Sequence, residues 1–108
     1  DIGKGARVVD EEQFGPILPV IKYSDLDDAV RQANDTTYGL GASIWSSDRD
    51  RAIDVASRID AGMIWVNKHL DFAPHLPFQG AKQSGMGMEM SADGLKEFTQ
   101  LHVIDAKA

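Results

Sequence analysis

Two stretches of the chain carry residue types that could do chemistry. The first is Glu11-Glu12-Gln13-Phe14-Gly15-Pro16. Two carboxylates precede a flat apolar ring, and the Gly-Pro step holds the chain extended, because a residue before proline avoids the helical region. A carboxylate there could accept hydrogen bonds from the hydroxyls of a sugar while the ring covers a planar heterocycle. The same residue types also suit a strand-entry turn with Phe14 packed in a core. The second stretch is Pro77-Phe78-Gln79-Gly80-Ala81-Lys82-Gln83-Ser84-Gly85-Met86-Gly87-Met88-Glu89. Its glycines permit backbone geometries and close approaches closed to other residues; alternatively it is a glycine-rich surface loop.

Other motifs fail on spacing. Gly85-Met86-Gly87 would need glycine at position 90 to make a dinucleotide fingerprint, and Met90 stands there. Gly80 to Ser84 holds glycine, lysine and serine without the spacing of a phosphate loop. His69, His75 and His102 have neither metal-ligand spacing nor an adjacent acid cluster, and read as exposed loop and strand residues. There is no cysteine, so these residues supply no disulfide, no thiolate-bound zinc or iron–sulfur centre and no thiol nucleophile.

The elements that must position these stretches follow from periodicity. Ile17, Leu18, Val20, Ile21 and Tyr23 read as a strand buried on both faces. Ser24 then offers an N-cap hydroxyl, and Asp25, Asp27 and Asp28 crowd a first helical turn, where the helix dipole favours negative charge. Leu26, Ala29, Val30 and Ala33 form one apolar stripe, which Asn34-Asp35 ends. Leu40–Trp45 reads as a second strand. Ser46 or Ser47 caps the next helix, Asp48 and Asp50 start it, and Ala52, Ile53, Val55, Ala56 and Ile59 give its buried face. Gly62 is expected as a left-handed C′ residue, and Met63–Asn67 as a third strand. These short connections predict an α/β fold with a parallel βαβαβ core. A long irregular loop over 68–90, a short helix over 91–98 with Leu95 and Phe98 as its apolar pair, and a final strand at Leu101, Val103 and Ile104 complete the expectation.

Length and charge narrow the function classes. The 108 residues suffice for one small domain at most. The composition, 43% hydrophobic and 26% charged, is that of a globular chain. Seventeen acids against eleven bases give a net charge of −6, a poor surface for nucleic acid, which needs clustered Lys and Arg. No apolar run approaches the ~20 residues needed to cross a bilayer, and no signal-peptide pattern opens the chain. Neither a membrane nor a nucleic acid is expected as a partner, and the expected location is cytoplasmic. The polar, glycine-rich start without methionine reads as cut from something longer.

Taken together, Glu11–Pro16, Asn34-Asp35-Thr36-Thr37-Tyr38-Gly39-Leu40, Gly62-Met63-Ile64-Trp65-Val66-Asn67 and Pro77–Glu89 resemble, in order and at family-like spacing, the C-terminal quarter of the aldehyde dehydrogenase superfamily. The resemblance covers nearly the whole chain. It implies oxidation of an aldehyde to an acid with NAD or NADP: a cysteine thiolate attacks the aldehyde, hydride passes to the nicotinamide, and a glutamate-activated water hydrolyses the thioester. By motif, Glu12 looks like the carboxylate that grips the nicotinamide ribose hydroxyls, and Phe14 like the ring beside the nicotinamide. Phe72 and Phe78 fall where the family lines its substrate tunnel with aromatics. Gln79 stands where glycine is usual, and Met88 where arginine is usual.

The resemblance places the nucleophile, the base and the dinucleotide-binding fold upstream, so the isolated chain is expected to be inactive. Residues 1–99 are then the end of a catalytic domain. Residues 100–108 resemble an oligomerisation arm, which implies a homo-oligomer formed through that strand. The alternatives are a non-catalytic assembly module built on the same fold and a small cofactor-binding domain, for which the pyrophosphate cradle is missing.

Overall fold

Aspartates start the two longer helices. In the computed structural model, which describes residues 2–108, the carboxylate of Asp25 accepts from Asp28 N at 2.9 Å and opens α2 (Leu26–Asn34). Asp48 accepts from Arg51 N at 3.0 Å and opens α3 (Arg49–Ser57). The expected serine caps sit one or two residues too early. Ser24 instead donates its backbone N–H to Asp28 at 3.0 Å, and Ser46 Oγ accepts from Asp48 N at 3.1 Å.

The chain divides into two units, the first ending at Thr36 and the second running Thr37–Ala108. The first holds α2 and a one-turn helix, α1 (Arg7–Asp10), in a stretch where the sequence shows no period. Within α2, Val30 is buried and Leu26 and Ala29 half-buried, while Ala33 is exposed. Residues 17–23 form no strand, a correction to the three-stranded core. Pro19 interrupts that run and has no N–H to donate to a ladder. Among the described residues no strand pairs with it, and Leu18 and Val20 are 85% and 80% exposed.

The second unit is built on a parallel pair, β2 (Gly41–Ile44) and β3 (Met63–Val66), in register Gly41↔Met63 through Ile44↔Val66. The connecting helix α3 packs on both strands and buries Ala52; Ile53 stays 44% exposed. Trp65, 3% exposed, lies so close over Gly41 that a Cβ there would come within 2.8 Å of its ring. Beyond β3 the ladder is continued by a side chain. The Asn67 amide accepts from Ser46 N and donates to Ser46 O, both at 2.8 Å.

Four two-residue strands, three of them in the expected irregular loop, form two short ladders. Here β1 (Tyr38–Gly39) pairs antiparallel with β5 (Ala81–Lys82), and β4 (Phe78–Gln79) with β6 (Met88–Glu89), in register Phe78↔Glu89 and Gln79↔Met88. Gly39 N also donates to Ser84 Oγ at 2.8 Å. Gly62 is not left-handed: it is glycine because a Cβ would stand 1.8 Å from the Gln79 carbonyl oxygen. The final helix, α4 (Ser91–Lys96), buries Gly94 against Glu89, while Leu95 and Phe98 face outward, 69% and 86% exposed. Residues 100–108 have no regular structure, correcting the expected C-terminal strand, and Leu101, Val103 and Ile104 are exposed. A strand needs a ladder partner, and none is present among the described residues.

Candidate functional site

In the first unit, α1 ends at Glu11, whose carboxylate is taken by Arg7. Nε and Nη2 reach its two oxygens at 2.9 Å each, a fork-on-fork pair. These bonds hold the guanidinium pKa above its ordinary value. Glu11 thus completes a helix end, and the neighbouring Glu12 is also exposed.

Two consecutive three-residue turns follow. Gly15 N donates to Gln13 O at 2.9 Å, and Ile17 N to Gly15 O at 2.8 Å. The first places Phe14 at its apex and the second Pro16, whose ring fixes φ near the value such a turn uses. An apex side chain projects away from the closing hydrogen bond. Phe14 is accordingly fully exposed, at 103%, so the reading of Phe14 as a core residue is corrected. An exposed ring two residues beyond an exposed carboxylate can cover a flat heterocycle while Glu12 accepts from vicinal hydroxyls.

In the second unit Phe72 and Phe78 come together edge to face, with centroids 5.1 Å apart and planes at 85°. Phe72 meets Trp65 in the same way, at 5.5 Å and 88°. Each such contact adds about 0.5–1.5 kcal/mol beyond area burial. The indole Nε1 of Trp65 donates to Asp71 O at 2.8 Å, fixing the backbone immediately before Phe72. Phe78 also borders a groove of about 340 Å³ lined in part by Leu40, Ser84, Met88 and Phe98. Two perpendicular phenyl rings on a buried indole make an apolar wall.

Sequence reading missed the partners of this wall. Trp65 read only as a strand centre, and His69 as an exposed loop residue. His69 is exposed, yet its Nδ1 lies 2.5 Å from Ser43 Oγ and its ring meets Trp65 at 5.6 Å. No local signal in the sequence marks this link, which joins residues 26 positions apart. His75 and His102 are exposed, and among the described residues no group of His, Cys, Asp or Glu could hold a metal ion. Nor is any helix of the described residues long and apolar enough to cross a membrane.

Comparison with known proteins identifies the family. The aldehyde dehydrogenase family profile matches residues 1–104. Aldehyde dehydrogenase 1A1 of Rattus norvegicus is 43% identical over 101 residues, 94% of this chain and 20% of that protein. The succinate-semialdehyde dehydrogenase [NADP(+)] of Deinococcus radiodurans is 46% identical over 106 residues, covering 98% and 22%. Among solved structures, apo betaine aldehyde dehydrogenase of Staphylococcus aureus superposes with a TM-score of 0.87 at 35% identity, over 91% of this chain and 20% of that one. The same enzyme in complex with NAD+ gives 0.82 at 37% identity, over 85% and 18%. The chain thus spans about a fifth of the length of the relatives it matches. Its mixed α/β architecture, parallel pair included, is that of their catalytic domain, and the chain belongs to the aldehyde dehydrogenase family.

Proposed function

We propose that this chain is the C-terminal part of an enzyme that oxidises an aldehyde to a carboxylic acid with NAD or NADP, and that residues 1–99 belong to its catalytic domain. The observation that carries the reading is the family match over residues 1–104, joined to the fully exposed ring of Phe14 beside Glu12. Both cofactors enter because the Deinococcus relative is named for NADP+ and the Staphylococcus enzyme is solved with NAD+. A mouse relative, 44% identical over 98 residues, is named cytosolic, which favours the cytoplasm.

The donor set suits a nicotinamide nucleotide. Glu12 would accept hydrogen bonds from the nicotinamide ribose hydroxyls, and Phe14 would lie beside the nicotinamide ring and limit its rotation. When bound, the cofactor supplies the hydride acceptor. Neither residue moves a proton; both hold and orient, and orientation alone accounts for several kcal/mol of a barrier. Phe72 and Phe78 would line the path of the aldehyde and keep water from it. The thiol nucleophile implied by the family resemblance is not among these 108 residues, so the isolated chain is inactive in this reading. The exposed Leu101, Val103 and Ile104 of the 100–108 segment favour pairing with a second copy.

The test is Phe14→Ala and Glu12→Gln in the full-length enzyme. Phe14→Ala lowers kcat by about tenfold through loss of orientation. Glu12→Gln raises the cofactor KM more than the aldehyde KM. Wild-type kinetics in both variants would refute the assignment.

A further inference from the structure

We propose that His69, gripped by Ser43, is a positioning residue that sets the angle of the Phe72–Phe78 wall and so selects for bulky, flat aldehydes. The inference rests on the reading of Phe72 and Phe78 as the aldehyde's wall.

The segment that carries Phe72 leaves β3 through two left-handed residues, Asn67 (φ 55°) and Leu70 (φ 52°). Without glycine at either place, the backbone there needs outside support. It is pinned at three points, one just past β2 and two on the parallel pair itself. Asn67 holds both backbone groups of Ser46, His69 Nδ1 is hydrogen-bonded to Ser43 Oγ at 2.5 Å, and Asp71 O receives the Trp65 indole N–H at 2.8 Å.

The middle pin differs from the other two because it is also a packing contact. Ser43 and Trp65 are register partners across β2 and β3, and His69 reaches back to both. Its ring sits edge-on to Trp65, at 5.6 Å and 69°. Trp65 in turn carries Phe72, and Phe72 carries Phe78. The order of contacts is therefore Ser43, His69, Trp65, Phe72, Phe78, beginning on the sheet and ending on the two rings proposed to meet substrate. A wall on a loop keeps its geometry only when its supporting shell is locked to rigid elements. Ser43 supplies the hydrogen-bonded part of that lock for an exposed imidazole whose other contact is the edge of Trp65.

A large planar aldehyde fills the wall and feels its angle, whereas a two-carbon aldehyde does not. The experiment measures Ser43→Ala, His69→Ala, the double variant and Phe72→Ala in the full-length enzyme, with benzaldehyde and with acetaldehyde. Ser43→Ala keeps the backbone and removes only the hydroxyl, which makes it the deciding variant. The expected result is a rise of about fivefold in the benzaldehyde KM, the size of one ordinary hydrogen bond. The acetaldehyde KM and kcat change by less than about twofold, a split a general loss of structure would not give. The double variant is no worse than His69→Ala, as for two residues acting through one contact. If Ser43→Ala leaves the ratio of the two KM values unchanged while Phe72→Ala raises it, the positioning role is overturned and the wall stands. If Phe72→Ala also leaves the ratio unchanged, the wall reading falls, and the proposal with it.

Discussion

Gly62 offers the sharpest test of how the second unit is held together. Its substitution by alanine would bring a Cβ within 1.8 Å of the Gln79 carbonyl oxygen, 2.6 Å of its carbon and 3.0 Å of Gly80 Cα. All three are backbone atoms, so no side-chain rotation relieves the clash. Carbon and oxygen without a bond between them settle about 3.3 Å apart, and the two segments must therefore part by more than an ångström. Two features resist that movement. Gly62 N donates to Gly39 O at 2.9 Å, and Gln79 is paired across β4 and β6. Overpacking a site costs about 1–3 kcal/mol, and a rigid backbone neighbour puts Gly62→Ala at the upper end. With a urea slope of roughly 2 kcal/mol per molar, the midpoint should fall by about 1.5 M. Fluorescence of the buried Trp65 reports the transition. Gly15→Ala is the control: nothing lies within 4 Å of its Cβ position and its φ is ordinary, so it is neutral or stabilising by a few tenths of a kcal/mol through the unfolded chain, about 0.4–1 at most. Equal midpoints for the two variants would refute the close-approach account.

Asp48→Ala removes the carboxylate that accepts from Arg51 N and should cost about 1 kcal/mol, read in the same urea titration. No change would mean that the cap is redundant. The Asp28 carboxyl is held below its ordinary 3.8, first by the Ser24 backbone N–H and then by Gln32, Arg31 and the Ser24 hydroxyl, against some desolvation. Its contribution to α2 is therefore present above the ordinary carboxylate range and lost as pH falls through the lowered value. An NMR titration of Asp28 should show a midpoint below the ordinary 3.8; a midpoint at or above 3.8 would refute the sign. Truncation after Thr99 removes the exposed apolar tail and should lower the oligomeric state of the full-length enzyme in light scattering; an unchanged mass refutes the arm.

Much of this fold was legible because helix starts and apolar stripes are local. Runs of aspartate announced α2 and α3, and Met63–Val66 needed only its β-branched and aromatic residues. What escaped depends on partners distant in sequence. The run from Ile17 to Tyr23 has strand composition, yet Pro19 denies it a ladder donor, and no described strand meets it. Gly62 is expected from the sequence to end a helix, but α3 stops five residues earlier at Ser57, and the glycine answers to Gln79, seventeen positions on in the chain. The candidate site divides the same way. Phe14 follows from turn residues at 13–16, whereas the link from His69 to Ser43 joins a loop to the middle of a strand and leaves no local trace.

The antiparallel pairing of β4 with β6 also changes how two oddities of the sequence should be counted. Gln79 and Met88, the two positions at which the family resemblance leads one to expect glycine and arginine instead, are nine positions apart along the chain and look like separate departures. In the ladder they are direct register partners, and residues so opposed have side chains in contact range. They are one locus. A chimera that took one strand of the pair from this chain and the other from a relative would divide that locus and set opposite each other two side chains drawn from different parents.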